Sequence, residues 1–360
     1  MRKLHQLTCL LFAIAALLAI GAAGRSAARS GARDLKIVFI DVEGGAATLI
    51  VTPQQESVLI DTGWERADGR DALRIQDGAR HAGVRRINHL ITTHWHLDHY
   101  GGVGRLVKLM PIDHFYDHGI PERSLDDPAN FPRLIAAYRA AGGDHSQTLK
   151  PGDEIPLRQD SSGGLPRITL RCMAVNGHVP DEEAHPPVDG CDAHPAHAKD
   201  TSDNANSLAL RLDYGDFSYW AGGDLTWNIE HRLVCPLNRI GSVSLYLTDH
   251  HGLNQSNNPA LVQVLHPRVA VMNCGVVKGG DVETTATLRA TAGIEAIYQS
   301  HRVLRYHDEG NAPAEMIANP EPECQGVPIV AAVAPDSKSF EMRVGWKGRA
   351  RRFISRPAAD

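Results

Sequence analysis

Four side chains that can bind a metal ion lie close together in the sequence: His94, His96, Asp98 and His99. Imidazole and carboxylate are ligands that zinc, iron and manganese accept. Residues two apart project to one side in an extended or loop backbone, whereas on a helix they diverge. We therefore expect His94 and His96 to hold one ion from a loop after the apolar run 87–92. Asp98 and His99 would serve a second ion where the chain turns.

The segments around this cluster are predicted to alternate between strands and helices. Apolar, β-branched runs predict a strand pair and a third strand, a helix that ends at Gly83, and the strand that leads into the cluster. The second half repeats the pattern with a strand, a hairpin, and two strands separated by a helix. This order indicates an α/β architecture with the ligands at strand ends. The predicted elements are 35–42, 46–52, 57–60, 71–82, 87–92, 103–109, 114–116, 168–175, 206–212, 217–221, 243–248, 259–265 and 269–272.

Further candidate ligands follow apolar runs in the second half. Asp224 comes after Gly222 and Gly223, where small residues let the backbone approach an ion closely. His250 and His251 both follow the run 245–247. A third position is open: His178 directly follows a predicted strand, while three rivals, His185, His194 and His197, lie in a predicted surface loop at 180–200.

The motifs resemble those of the metallo-β-lactamase fold superfamily. The cluster HWHLDH followed by YGG (94–102) is similar to its HxHxDH-xGG signature. The stretches SVLIDTG (57–63), YWAGGDL (219–225) and YLTDHHG (246–252) resemble its other strand-end motifs, in the same order. Within the superfamily the chain most resembles the hydrolase domain of ComEC-type competence proteins, through FIDV (39–42), NSL (206–208) and HHG (250–252).

This resemblance implies a four-layered αββα sandwich and two divalent ions, zinc above all, with manganese or iron as alternatives. Asp224 would bridge the two ions, His178 would be the remaining ligand of the first motif's ion, and His251 a ligand of the other. His250 would then hold a substrate oxyanion or donate a proton, although the two adjacent histidines could exchange roles. The resemblance also implies that Asp98 is catalytic and that Asp61 orients a metal ligand.

The resemblance also implies hydrolysis by a hydroxide that the two ions share. Phosphodiester or phosphoester bonds are the substrate expected from the nearest branch, with a carboxylic ester, lactone or β-lactam as the alternative. At 43–46 the chain reads EGGA where that branch has Gly-Gln-Gly-Asp, which favours a small-molecule or short polymeric ester over DNA. An iron-dependent redox enzyme and a non-catalytic metal-binding protein are the expectations from other classes.

Charge and hydropathy restrict the partners and divide the chain. The net charge is −5 with both signs interspersed, so there is no strong nucleic-acid footprint. Residues 1–30 combine a basic start with an apolar stretch and then small residues, the layout of a signal peptide, with an uncleaved anchor as the alternative. We expect a hydrolase domain at 31–345 and a basic, solvated tail at 346–360, with no membrane span in the mature chain and export to the periplasm or medium.

Cysteine content agrees with export. Without Cys9, in the predicted signal peptide, five cysteines remain: Cys172, Cys191, Cys235, Cys274 and Cys324. Disulfides persist outside the cytoplasm, and Cys172 with Cys191, or Cys235 with Cys274, could pair. Sequence alone does not fix the pairing, and an odd number leaves at least one thiol without an intramolecular partner.

Overall fold

Two mixed sheets face each other in the computed structural model, which describes residues 33–124, 126–181, 188 and 190–357. The first sheet has the strand order β16-β15-β14-β1-β2-β3-β4-β5-β6, and the second has the order β13-β12-β11-β10-β9-β8-β7. The predicted signal peptide lies outside the described residues. The strands are β1 (Leu35–Phe39), β2 (Thr48–Val51), β3 (Ser57–Ile60), β4 (Ile87–Ile91), β5 (Ile112–Asp117), β6 (Gln147–Thr148), β7 (Ile168–Ala174), β8 (Ala209–Tyr214), β9 (Phe217–Ala221), β10 (Leu245–Leu247), β11 (Val269–Met272), β12 (Ala296–His301), β13 (Ile317–Asn319), β14 (Ile329–Val333), β15 (Ser339–Val344) and β16 (Arg351–Ile354).

Helices cover the outer face of each sheet. Apolar side chains that alternate along β1 divide between two cores: Ile37 and Phe39 face the second sheet, while Val38 faces the helices. Phe39 meets Tyr219 of β9 across the inter-sheet core, with ring centroids 6.0 Å apart. The fold is therefore the expected αββα sandwich. Its helices are α1 (Arg70–Ala82), α2 (Leu97–Tyr100), α3 (Val103–Leu106), α4 (Phe131–Ala140), α5 (Trp227–Val234), α6 (Pro259–Leu265) and α7 (Val282–Ala290).

Most elements predicted from local pattern are present. β1 and β2 form the expected antiparallel pair, and β8 and β9 form the expected hairpin. Helix α1 begins one residue before its predicted start and ends at Gly83, whose φ of 92° is the left-handed conformation that glycine adopts without strain. The helix predicted at 103–109 is shorter, because regular α-helix ends at Leu106.

The segment predicted as a basic solvated tail contains a strand. β16 pairs with β15 at the edge of the first sheet, and Phe353 is buried and stacks on Phe340 at 5.4 Å. Arg351 and Arg352 remain exposed. The many arginines of this segment made the strand hard to predict from the sequence. Phe353 anchors the strand, because burial of one aromatic side chain is a large favourable contribution.

A disulfide joins Cys191 to Cys235, the residue that follows helix α5. This pairing is neither of the two considered from the sequence. Cys172, Cys274 and Cys324 are free thiols. The bond ties the described part of the segment 180–200, predicted as a surface loop, to the helix that follows the candidate ligand Asp224.

The parallel strands bring the candidate ligands together. β3 and β4 are parallel in the first sheet, and β9 and β10 are parallel in the second. Side chains that follow the carboxyl ends of parallel strands meet at one edge of a sheet, and ligands bind there in α/β proteins. A hydrogen bond from Leu208 N to Thr93 O, 3.0 Å long, links the two edges. Among the described residues, no helix is both long and apolar enough to cross a membrane.

Trp95 fixes the loop that carries His94 and His96. Its indole is 1% exposed, meets Tyr100 and Tyr138 edge-on at 5.2 and 5.0 Å, and donates to Gly119 O at 2.9 Å. The loop is thus attached to the helical face of the first sheet.

We predict that Trp95→Ala lowers the free energy of unfolding by about 3–5 kcal/mol, the range for large aromatic truncations in a core. Trp95→Phe keeps most of the packing and should lose about 1 kcal/mol, since one hydrogen bond is removed. Urea denaturation of the ion-free proteins measures both changes. A loss below about 1 kcal/mol for Trp95→Ala would show that the indole does not anchor the loop.

Candidate metal centre

The carboxylate of Asp224 lies between two groups of ligand-type side chains. Its Oδ1 is 3.2 Å from His99 Nε2 and 3.4 Å from His251 Nε2. Its Oδ2 is 3.8 Å from His94 Nε2 and 3.4 Å from His250 Nε2. Each oxygen therefore faces a different pair of imidazoles, as a carboxylate that bridges two ions must.

The described residues form two ligand groups that share Asp224. In each group the ligand atoms all lie within 4.8 Å of one another. One group adds His94 and His96, and the other adds Asp98, His99 and His251. The first motif is thus divided between the two groups: His94 and His96 lie in one, and Asp98 and His99 lie in the other.

Distances and unsatisfied atoms both fit divalent ions. Ligand atoms about 2.0 Å from a tetrahedral ion lie about 3.3 Å from one another. His99 Nε2 and His251 Nε2 are 3.3 Å apart, and Asp98 Oδ2 is 3.1 Å from His251 Nε2 and 3.4 Å from His99 Nε2. His94 Nε2 and Asp224 Oδ2 are buried without a hydrogen-bond partner. Such atoms are costly unless something satisfies them, and an ion would do so.

Strained backbone directs His250 and His251 into the centre. Both residues follow β10 and have positive φ angles, 51° and 55°, which L-residues adopt at a cost of about 1–3 kcal/mol each. His250 N donates to Gly223 O at 2.8 Å, so this turn is bonded to the turn that carries Asp224. Gly222 must lack a side chain, because a Cβ there would lie 2.2 Å from Asp249 Oδ1.

Asp61 and Thr93 orient two of the histidines. The Asp61 carboxylate accepts from Thr93 N, from Thr93 Oγ1 and from His99 Nδ1, each at 2.8 Å. With its Nδ1–H held there, His99 presents Nε2 to Asp224. Thr93 Oγ1 also lies 3.1 Å from His94 Nδ1. The expectation that Asp61 orients a ligand thus has a structural counterpart in its hydrogen bond with the candidate ligand His99.

Burial and neighbouring charges set the protonation of the ion-free centre. Burial opposes charge on Asp224, but His251, His99 and His250 outweigh it and hold the pKa of Asp224 well below its usual range. The pKa of Asp98 is also well below its usual range, since His99, His251 and Lys278 outweigh its burial. Both carboxylates are therefore ionised at neutral pH, the state that metal binding requires.

Lys278 lies against the Asp98 side of the centre. Its Nζ contacts Asp98 Oδ2, and the ammonium is 5.4 Å from the centroid of the Trp64 ring. The side chain is 32% exposed, so the cation reaches both the centre and solvent. Sequence analysis did not identify this residue, which lies between β11 and α7. The two glycines that follow it, Gly279 and Gly280, were the available signal of a close backbone approach.

Asp126 and Asp203 are further contacts that the sequence did not reveal. Asp126 Oδ2 lies 3.1 Å from His96 Nε2, which leaves Nδ1 of that ring for an ion. Asp203 Oδ2 accepts from Trp95 N at 2.7 Å and lies 3.1 Å from His118 Nε2. Both carboxylates come from long loops with no motif to mark them.

His178 does not join the other candidate ligands. It belongs to none of the ligand groups formed by the described residues, and its backbone makes an isolated bridge with Val175. Two of its rivals are also outside these groups: His197 is exposed and stacks on Trp227, and His194 follows a short 3₁₀ turn. The third rival, His185, lies outside the described residues.

His250 lies at the centre but outside both ligand groups. Besides Asp224, its Nε2 has Asn204 Nδ2 at 3.5 Å, and burial lowers the pKa of His250 to about 4. The ring is thus held beside Asp224 in its neutral form, on the same side as His94.

Two other groups of ligand-type side chains occur among the described residues. The first contains Cys191 and Cys235, whose sulfurs are joined to each other and so are not thiolates. The second contains Asp41, His301 and Cys324, where Asp41 is already paired with His301 at 2.7 Å and with Arg74 at 2.8 Å. In both groups the atoms that face one another are already paired, through the disulfide in the first and through the Asp41–His301 contact in the second.

The sequence is similar to those of several known proteins. The sequence model of the Metallo-beta-lactamase superfamily matches residues 40–181, which include the first motif. ComE operon protein 3 of Bacillus subtilis (strain 168) is 23% identical over 253 residues, 67% of this chain and 28% of that protein. Residues 40–181 therefore resemble a metallo-beta-lactamase superfamily domain, and the chain is similar to a ComEC-type protein, in agreement with the sequence motifs.

Two further similarities are more restricted. Atrochrysone carboxyl ACP thioesterase of Passalora fulva is 35% identical over 80 residues, 22% of this chain and 23% of that protein. The chain thus aligns with only about a quarter of each of these two relatives. The structure of CmlA, a diiron beta-hydroxylase from Streptomyces venezuelae, gives a TM-score of 0.37 at 14% identity, covering 65% of this chain and 44% of that one.

We predict that Asp61→Asn weakens zinc binding about 10–100-fold, the usual effect of removing a partner that orients a ligand histidine. The asparagine amide keeps the size of the carboxylate. Its NH2 group, however, cannot accept the hydrogen bonds that Thr93 and His99 donate to Asp61. Competition with a chromogenic chelator measures the affinity, and Asp68→Asn, at an exposed turn, is the control. An Asp61→Asn affinity within about twofold of the wild type would contradict this role.

Proposed function

We propose that this chain is a dinuclear metal-dependent hydrolase that cleaves phosphodiester or phosphoester bonds. The observation that carries the proposal is the position of Asp224, whose two oxygens face two separate pairs of imidazoles. His94, His96 and Asp224 would hold one ion, and Asp98, His99, His251 and Asp224 the other. Bound ions, with zinc preferred, would supply Lewis acidity and a water acidified towards neutral pH.

The protein's own groups fit the remaining tasks. Asp61 keeps His99 in one orientation, so that the ligand set is ready before the substrate arrives. Lys278 presents a partly exposed ammonium at the Asp98 side, where it can bind an anionic oxygen of the substrate. Asp98, which the motif marks as catalytic, would be released from Lys278 to bind its ion.

The position of His250 supports the catalytic role expected for this residue. It lies 3.4 Å from Asp224 Oδ2 yet outside both ligand groups, so it faces the place where a substrate oxygen would lie. A neutral imidazole donates one hydrogen bond and could stabilise charge that develops on that oxygen. The alternative is that His250 completes the His94 and His96 group, in the position expected for His178.

The positive charge of Lys278 supports a phosphodiester or phosphoester as the substrate, because an ammonium pairs with an anionic ester better than with a neutral one. Carboxylic ester cleavage is the second candidate, and the 80-residue similarity to a thioesterase favours it. Lactones and β-lactams belong to the same alternative, since attack at a carbonyl needs the same kind of centre.

Other classes make different predictions about the metal. A redox enzyme would use iron with the same ligand types, whereas zinc has no redox chemistry. A non-catalytic binding protein would hold ions without turning over any ester. Metal analysis and turnover together separate these classes from the hydrolase.

We also propose that the protein is exported, to the periplasm or the medium. The Cys191–Cys235 disulfide supports this, because disulfides form and persist in oxidising compartments. The composition of residues 1–30 is the second support.

We predict close to two transition-metal ions per chain in the purified protein, as a two-metal hydrolase requires. His96→Ala should lose metal and activity together. The measurements are elemental analysis and turnover of chromogenic phosphodiester, phosphomonoester, lactone and cephalosporin substrates. A protein without metal at neutral pH, or an active His96→Ala variant, is incompatible with the proposal.

Lys278→Gln should lower kcat/KM for the anionic phosphoesters more than for a neutral lactone, because only the phosphoesters pair with the ammonium.

A separate prediction distinguishes the adjacent histidines. His251→Ala should weaken metal binding, since a ligand is lost. His250→Ala should keep both ions yet lose about 10²–10⁴ in kcat, the range for acid–base groups and oxyanion donors. Metal content and turnover of the two variants decide the matter. If His250→Ala sheds metal while His251→Ala retains it, the roles are reversed.

A further inference from the structure

A cavity of about 420 Å³ opens next to the His94 side of the centre. Two of its lining residues connect it to the candidate ligands. Asn204 Nδ2 lies 3.5 Å from His250 Nε2, and Thr226 follows Asp224 by two residues. The volume falls in the range of pockets that hold small organic molecules. A group in this cavity would therefore adjoin an ester held at the centre.

The wall of this cavity is built by the segment that the disulfide anchors. His197 stacks on Trp227 with ring centroids 4.0 Å apart and rings 11° from parallel. Asn228 exchanges two hydrogen bonds, each 2.9 Å long, with the backbone of His197. Cys191 and Cys235 attach the same segment to the end of helix α5. The wall is thus held by stacking, by hydrogen bonds and by a covalent bond.

The lining of the cavity includes one carboxylate, Asp200, and one imidazole, His197. Amides, hydroxyls and an indole make up most of it, and its described residues include no lysine or arginine. Asn204 is 8% exposed, yet its Oδ1 has no hydrogen-bond partner, and the buried Ser202 Oγ also has none. Unpartnered buried polar atoms imply a ligand or water that satisfies them. A carboxylate in the wall would repel a further anionic group.

We propose that this cavity binds an uncharged ring with hydrogen-bonding substituents, such as a nucleoside, attached to the ester that the centre cleaves. Amide side chains pair with the edges of such rings, and an indole packs against their faces. The proposal rests on the proposed hydrolysis and names the organic part of its substrate. The cation for the anionic ester, Lys278, contacts Asp98 in the other group of ligands. The centre therefore has an anion-binding side and a side whose described lining has hydrogen-bonding groups and no lysine or arginine.

The test compares two phosphodiesters of equal charge and identical leaving group: thymidine 5′-(p-nitrophenyl phosphate) and methyl p-nitrophenyl phosphate. Wild-type protein should prefer the thymidine ester about tenfold in kcat/KM, the value of one or two hydrogen bonds. Asn204→Leu and Ser202→Ala should each remove much of that preference by raising KM for the thymidine ester, and Ser202→Ala should leave the methyl ester within about twofold. Ser202 makes no contact with His250, so its variant separates pocket loss from damage to the centre.

Asn273→Leu is the matched control. Asn273 also has an unpartnered Oδ1, but its Nδ2 faces Gly45 O at 3.4 Å, away from the cavity residues. This variant should keep the wild-type preference for thymidine. Variants that slow both esters equally, or a wild type without preference, would overturn the pocket assignment.

Calorimetric titration with thymidine alone separates this proposal from the proposed function. Thymidine should bind the wild type and bind Ser202→Ala more weakly, whether or not either ester is cleaved. Binding without cleavage of either diester would reject the phosphodiesterase and keep the pocket. Cleavage without thymidine binding or preference would reject the pocket and keep the hydrolase.

Raising the salt concentration should leave the preference for the thymidine ester unchanged, because screening acts on charged groups. A preference that disappears in salt would show that the cavity recognises charge, which would overturn the proposal.

Discussion

The buried carboxylate of Asp224 is the interaction on which the rest of the centre depends. Only 1% of the residue is exposed, and its neighbours include a second ionised carboxylate, Asp98. Burying the two carboxylates of Asp224 and Asp98 near each other costs free energy unless cations lie between and around them. Histidines supply part of that charge in the ion-free protein, and divalent ions would supply the rest. Lys278 adds a cation at Asp98, and Asp61 pairs with His99, the histidine that lies near both carboxylates.

The sandwich provides the rigidity that such a site needs. Candidate ligands follow the carboxyl ends of β4, β9 and β10, so strands buried in the core fix their backbones. Trp95 attaches the first motif to the outer helices, and the bond from Leu208 N to Thr93 O attaches it to the second sheet. Left-handed backbone at His250 and His251 is held by the bonds from His250 N to Gly223 O and from Gly280 N to His251 O. A site placed this way is held before any ligand arrives.

Local pattern predicted much of this arrangement. Apolar, β-branched runs predicted β1 to β4, and a further apolar pattern predicted the β8–β9 hairpin. Residue spacing alone suggested that the first motif serves two ion positions. The resemblance supplied the layered architecture and the proposal that Asp224 and His251 are ligands. The fold could be predicted because each of these inferences depends on residues adjacent in the sequence or on motifs with a fixed order.

Features that depend on distant contacts could not be predicted. Lys278 reaches Asp98 across 180 positions, and Asp126 reaches His96 from a loop without a motif. His178 follows a strand as a ligand would, yet a bridge with Val175 keeps its backbone in a local turn. The strand β16 was hidden among arginines because one buried phenylalanine, Phe353, decides its position. Cysteine pairing was equally beyond spacing arguments, since it depends on where the segment around Cys191 folds back.

X-ray absorption spectroscopy of the zinc-loaded protein tests the central claim most directly. If Asp224 bridges two ions, the spectrum should contain a zinc–zinc contribution at about 3.5–4 Å, with nitrogen and oxygen ligands and no sulfur. Asp224→Ala should lose that contribution even where some zinc remains bound. A wild-type spectrum of isolated zinc ions, or one with sulfur ligands from a cysteine, would contradict the account.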